Sequence, residues 1–223
     1  MKMRKKLLFT LIIACFWPLI VLADFNPTAY YTIDGEEMES TDMIADAQAP
    51  LTVRFAANPT ETEGDVGYEW RFTREGEEKP FMTRYEETTT YEFKQSGMTQ
   101  VELYVTIAGY DEAELTATFS ISITNSILEM PNAFSPNGDG VNDIYKAKEN
   151  HKSIVEFHAY IFNRWGQKIY DWTDINGGWD GTWNGKDVKD GTYYVLVKAK
   201  GADGINYDIK KDVNVLRKYL LEQ

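Results

Sequence analysis

Asn132-Ala-Phe-Ser-Pro-Asn-Gly-Asp-Gly-Val-Asn-Asp143 packs turn formers more densely than any other part of this 223-residue chain. Pro136 fixes φ, Gly138 and Gly140 free it, and Asn137, Asp139, Asn142 and Asp143 carry short polar side chains that bond their own backbone. Neither a helix nor a strand runs through such a stretch. It reads as an ordered, self-bonded loop that opens a second domain. The segments on its two sides differ in charge.

Residues 24–127 hold 21 Asp and Glu against 6 Lys and Arg, whereas residues 128–223 hold 14 against 13. The acidic first half is the face of a soluble exported protein. It argues against nucleic acid and anionic membrane as partners, because both repel negative charge.

At the N-terminus, Lys2, Arg4, Lys5 and Lys6 precede an apolar run, Leu7 to Leu22, and Val21-Leu22-Ala23 supplies small residues for cleavage. This is the pattern of a secretory signal peptide over residues 1–23, cut after Ala23. A short membrane anchor is disfavoured by Pro18 and by the length of the run. Ile12-Ile13-Ala14 before Cys15 leaves a lipoprotein alternative, which would give a greasy mature N-terminus from Phe16 to Leu22. Cys15 is the only cysteine. The chain after Ala23 therefore has no disulfide, thiolate metal site or cysteine nucleophile, and each domain rests on its own core.

Strand signals dominate the rest. Thr28–Ile33, Leu51–Phe55, Tyr68–Phe72, Thr88–Phe93, Val101–Ile107 and Leu115–Ile123 alternate apolar with polar residues, with turn signals between them. Val101, Leu103, Val105 and Ile107 share one face, as do Leu115, Ala117, Phe119, Ile121 and Ile123. Ser126–Met130 reads as a strand or linker. Ile154–Trp165 is the longest strand signal, with Val155, Phe157, Ala159 and Ile161 on one face and Glu156, His158, Tyr160 and Phe162 on the other. Asn163-Arg164-Trp165-Gly166 turns it into Lys168–Tyr170, and Asn176–Gly185 is a second glycine-dense loop. Asp190-Gly191 then leads into Thr192–Lys200 and a last strand, Tyr207–Leu216. Period-2 runs of this kind predict an all-β chain of two immunoglobulin-like antiparallel sandwiches in tandem, the second with about seven strands.

Two resemblances follow. Pro50–Phe55, Tyr68-Glu-Trp70, Thr90–Phe93 and Val101–Val105 resemble the polycystic-kidney-type (PKD-like) immunoglobulin fold of bacterial surface proteins, with Thr73-Arg-Glu-Gly76 in place of its usual Asp-Gly turn. Trp70 reads as a core anchor between two sheets. The second half resembles the gliding-motility-associated C-terminal domain, the type B sorting domain of type IX secretion cargo in Bacteroidetes. The carrying motifs are Pro131 to Asp143, with Asn132 and Phe134 inside it, and then Tyr160–Tyr170, including Asn163, Arg164, Trp165 and Gly166. After them come Trp179-Asp180-Gly181, Asp190-Gly191 with Tyr193, and Val213–Arg217. Lys218–Gln223 runs past the point where family members usually stop. The resemblance implies delivery to the cell surface or medium through the outer-membrane secretion machinery. Cell-surface proteins or polysaccharide are further candidate partners of the chain.

Three other candidate sites each have a structural alternative. Asp139, Asn142 and Asp143 superficially resemble a calcium loop, but an EF-hand frame with Gly140 sixth places Lys146 where a bidentate Glu is required. A structural loop is favoured, and no metal or cofactor is expected. Trp165, Trp172, Trp179, Trp183, Tyr193 and Tyr194 are either core or a carbohydrate-stacking face; the latter needs at least two tryptophans exposed and coplanar. The only histidines, His151 and His158, come with no nucleophile elbow, zinc spacing or phosphate loop. A carboxylate pair in a cleft is the remaining enzyme reading. The expectation is a non-enzymatic exported protein.

Overall fold

The computed structural model describes residues 24–61, 65–108 and 113–217. The proposed signal peptide with Cys15 and Ala23, and the tail Lys218–Gln223, lie outside these residues. Within them every regular element is a β-strand.

The first half contains β1 (Asp24–Phe25), β2 (Thr28–Ile33), β3 (Glu36–Ser40), β4 (Met43–Ala47), β5 (Leu51–Ala56) and β6 (Pro59–Glu61). β7 (Val66–Arg74), β8 (Met82–Arg84), β9 (Thr88–Phe93), β10 (Gly97–Ile107) and β11 (Glu114–Ile123) complete it. They form a four-stranded sheet, β3-β2-β5-β9, facing a five-stranded sheet, β4-β11-β10-β7-β8, while β1 pairs with β6. β4 joins β11 in parallel and every other pairing in this half is antiparallel.

The core follows the alternation. Val53 and Phe55 from one sheet meet Trp70, Phe72, Val101, Leu103, Phe119 and Ile121 from the other, all fully buried. Phe55 is the hub, with Phe119 at 5.4 Å, Phe72 at 5.7 Å and Trp70 at 5.9 Å between ring centroids. Trp70 is the anchor expected of it: its indole N–H donates to the Glu86 carbonyl at 2.9 Å, so burial strands no donor.

Five strands of this half, β1, β3, β4, β6 and β8, fall outside the sequence reading, and all but β3 and β4 are only two or three residues long. β3 is acidic and exposed, an edge strand that the Asp34-Gly35 turn (φ 51° and 84°) folds back on β2. β4 is short and paired only at the sheet edge. One face assignment is corrected. Leu115 is exposed, because Leu103 faces Ala117 while Tyr104 faces Leu115. Thr116 is the extra residue of a β-bulge, and a one-residue slip moves the side chain beyond it to the other face.

The second half contains β12 (Ala133–Phe134), β13 (Ile154–Phe162), β14 (Lys168–Trp172), β15 (Thr182–Trp183), β16 (Lys186–Asp187), β17 (Gly191–Gly201) and β18 (Asn206–Val215). Five of them form one sheet, β12-β18-β17-β13-β14, and β15 pairs only with β16. The layer covering that sheet is mostly irregular chain, including a single backbone bridge between Tyr145 and Trp179. Ser126–Met130 is not a strand, for only Ile127 bridges, to Lys152. β13 stops at Phe162, so the longest strands are β10 and β17, at 11 residues each. Beneath the irregular layer Trp179, Tyr145, Phe134, Ile161, Val195, Val197, Val213 and Val215 form a second core.

Candidate functional site

The strand registers decide where the motifs meet. Phe162 pairs with Tyr194, and Gly191 pairs with Val215. The turn after β13, the loop before β17 and the end of β18 therefore lie at one pole. Ile154 pairs with Gly201 at the other pole, beside the first half.

The Asn132–Asp143 stretch folds onto the motif pole. Asn132 accepts a backbone bond from Asn214 at 2.9 Å, and Ala133–Phe134 pairs in parallel with Asn214–Val215. Phe134 is buried against Trp179 at 5.4 Å and Tyr145 at 5.6 Å. Pro131 accepts the Tyr145 hydroxyl at 3.0 Å, and burial pushes that phenol well above its ordinary pKa.

Beyond Pro136 the loop bonds itself. Asp143 accepts the N–H groups of Asn137 at 2.9 Å and Gly138 at 2.8 Å on one oxygen, and that of Gly140 at 2.7 Å on the other. Donation from Gly138 and then Gly140, helped more weakly by Asn137, holds its carboxyl below the ordinary carboxylate range against the opposing effect of desolvation. Asp139 accepts from Val141 N–H and from the Asn137 amide, 2.8 and 2.9 Å away. Gly138, Gly140 and Asn142 take φ values of 79°, 85° and 53°, which only glycine, and more rarely Asn or Asp, adopt readily. Of the candidate calcium ligands, the Asp139 and Asp143 carboxylates are directed at N–H donors, and the Asn142 backbone carbonyl accepts from Ser135 N–H. Among the described residues no cluster of three His, Cys, Asp or Glu could hold a metal.

Asn163 is buried and builds the next turn. Its side-chain oxygen accepts from Trp165 N–H at 3.0 Å and Gln167 N–H at 3.1 Å, and Gly166 closes the turn at φ 76°. The turn pushes Arg164 and Trp165 outward. Trp165 is 75% exposed, with the Arg164 guanidinium 4.3 Å from its ring centroid. Trp179, by contrast, is fully buried; its indole donates to the Thr182 carbonyl at 2.8 Å and its ring meets Tyr193 edge-on at 5.3 Å. Asp180 caps the same turn by accepting from Thr182 N–H at 2.9 Å. Tyr193 donates to the Lys189 carbonyl, and Asp190-Gly191 opens β17.

Arg217, the last residue of the final-strand motif, ties the loops together, a role the sequence reading did not assign to it. It donates to the Gly181 carbonyl at 2.8 Å and the Val188 carbonyl at 2.6 Å, and lies 3.5 and 3.6 Å from the carboxylates of Asp187 and Asp190. A lone arginine ending a hydrophobic strand, Val213-Asn-Val-Leu-Arg217, was the available signal. Gly178 opens the predicted Trp179 loop motif, and its packing role shows only in the structure: a Cβ there would sit 2.6 Å from the Tyr145 carbonyl, so the chain passes too closely for any other residue.

The aromatics weighed for sugar stacking divide. Trp172 and Trp179 belong to the core, while Trp165, Trp183 and Tyr194 are exposed, the two tryptophans on separate hairpins. His158 bridges Tyr160 and Asp171 on an open strand face at 2.8 and 2.9 Å, and His151 bonds the Lys148 carbonyl. Two shallow depressions of about 470 and 400 Å³, the second beside Pro131 and Asn132, are each lined by a single acidic residue, Glu37 or Glu129.

Residues 128–211 match the CHU_C family, the type IX secretion signal domain. The second half of this chain carries a type IX secretion signal domain. The match begins at the entry to the signal domain's opening loop and spans the turn and loop motifs of its pole, stopping short of Arg217. No protein among curated sequences matches the chain. Among solved structures it is similar to three domains of chicken CNTN1, at 14% identity over 82% of this chain and 70% of that one, with a TM-score of 0.31. Dimeric latent PorU from Porphyromonas gingivalis is similar at 12% identity over 86% of this chain and 20% of that one, with a TM-score of 0.28. A tandem repeat from the extending region of a large adhesion protein gives 12%, 86%, 57% and 0.29 in the same order. The chain thus spans less than two thirds of PorU and of the adhesion protein. At these scores the likenesses carry no argument about activity or partners.

Proposed function

We propose that this chain is non-enzymatic cargo of the type IX system. In this reading residues 1–23 are a signal peptide cut after Ala23, residues 24–127 an acidic PKD-like domain, and residues 128–223 the sorting domain. The outer-membrane machinery reads the sorting domain's motif pole, and the chain is delivered to the cell surface or medium. There the acidic domain meets other surface proteins or serves as a structural element.

The observation carrying the reading is the convergence of loops distant in sequence on one pole, braced from below by Trp179 and Arg217. Rigid loops around an exposed Arg–Trp pair suit recognition, since tryptophan and arginine are the residues that most often dominate binding energy. The test is export of the full-length Arg164→Ala, Trp165→Ala variant in a host with a working type IX system. Periplasmic retention of a folded variant is expected. Wild-type delivery of that variant would remove the pole from the recognition step.

The carbohydrate reading keeps one supporting feature, the exposure of Trp165 and Trp183. Binding of the chain to insoluble polysaccharide, abolished by Trp183→Ala but indifferent to export, would favour it.

A further inference from the structure

The pole opposite the motifs is joined to the first half by an interface of buried polar groups. Ser153, at the entry to β13, is 2% exposed and sits at φ 47°. Its hydroxyl lies 3.2 Å from the Ala49 N–H and 2.9 Å from the Thr124 hydroxyl, which is itself 3.2 Å from the Ala47 carbonyl. Each hydroxyl has one proton, and with the Thr124 proton on the Ala47 carbonyl the chain runs one way. Ala49 N–H donates to Ser153, Ser153 to Thr124, and Thr124 to Ala47. One residue of the second half completes a bonded chain inside the first.

A second set runs alongside. Asp203 accepts the Ser126 N–H at 2.9 Å and the Ser126 hydroxyl at 2.7 Å, and the Tyr207 hydroxyl donates to Ser126 at 2.8 Å. Ser96 N–H donates to the Ala202 carbonyl at 3.0 Å, and Ala202 N–H to the Ser153 carbonyl at 2.9 Å. Ala202 is part of the first half's hydrophobic core, and Val155 packs against it. Gly201 makes the approach feasible, since a Cβ there would collide with the Ser126 hydroxyl and the Asp203 carboxylate.

We infer that the sorting domain is a permanent structural half of this protein rather than a detachable tag: it closes the end of the acidic domain's core, and the two halves fold and unfold as one unit. Pulling them apart would leave the buried Ala49 N–H without its acceptor, strip two buried serines of their partners and open the core at Ala202. The delivered protein therefore keeps residues 128–217. That last consequence rests on the sorting reading, whereas the shared folding unit does not.

The test is calorimetry on the whole chain after Ala23, alongside two joint variants. The wild type is expected to melt in a single transition whose calorimetric and van't Hoff enthalpies agree. Gly201→Ala, which wedges the joint, is expected to split that transition in two. Ser153→Gly, which accommodates the positive φ and removes the hydroxymethyl group, is expected to lower its midpoint by several degrees. Two separate wild-type transitions, or variants that melt as the wild type does, would overturn the inference. Intact mass of the surface-delivered protein then tests retention: a product reaching Arg217 or beyond agrees, and one ending between Thr124 and Met130 contradicts it. Failure of delivery altogether would count against the sorting reading and leave the calorimetric result to decide the joint.

Discussion

The guanidinium of Arg217 donates to the carbonyl of Gly181, 2.8 Å away and 36 residues earlier in the chain. Gly181 sits at φ 78°, and a Cβ on it would lie 2.8 Å from that guanidinium and 2.9 Å from the Pro136 ring. The end of β18, the Trp179 loop and the opening loop thus meet at one point. Its geometry needs an arginine on one side and no side chain on the other.

Arg217→Ala removes both forks and leaves the Gly181 and Val188 carbonyls without their charged donor. Hydrogen bonds to charged groups contribute about 1.5–3 kcal/mol each, so the two bonds together predict a loss of roughly 3–6 kcal/mol in urea unfolding. Arg217→Lys should recover less than half of it, because an ammonium cannot reach two diverging carbonyls as a planar fork does. A change below about 0.5 kcal/mol for both variants would mean that Arg217 is not the tie.

Trp179 and Trp165 separate stability from recognition. Trp179→Ala empties the centre of the second core and should cost about 3–5 kcal/mol. Trp165→Ala removes an exposed ring and should change stability by no more than about 0.5 kcal/mol while lowering export. Urea melts and surface fractions of both variants, measured side by side, check the pair. Destabilisation by Trp165→Ala comparable to that by Trp179→Ala would contradict the assignment of roles.

The opening loop should loosen in acid. The folded-state pKa of Asp143 is depressed, first by the Gly138 N–H, so its contribution is present above the ordinary carboxylate pKa and is lost as pH falls through the folded value. Protection of the Gly138 and Gly140 amides, measured as exchange relative to the intrinsic rate at each pH, should be high at neutral pH and fall below the usual carboxylate range. Asp143→Asn should be poorly protected throughout. Protection in the wild type that stays unchanged down to pH 2 would show that the carboxylate does not hold the loop.

Most strands of the first half were legible because period-2 patterning and Trp70 read the same way at sequence and structure level. β3 was not, because an acidic edge strand buries nothing and so carries no apolar signal. Leu115 was misplaced because a bulge leaves no mark in alternation. In the second half the motifs were legible as turns, but their convergence depended on register, which short patterns do not encode. Arg217 went unread as a tie because its partners are carbonyls, which every residue has. The joint was invisible for a similar reason: Ser126, Ser153 and Gly201 are ordinary residues made special by what lies opposite them.

The measurement that bears most directly on the account is the location of the full-length chain in two otherwise identical hosts, one with an intact type IX outer-membrane translocon and one without it. The account predicts surface or medium delivery in the first and periplasmic retention of folded protein in the second. The same distribution in both hosts would contradict it.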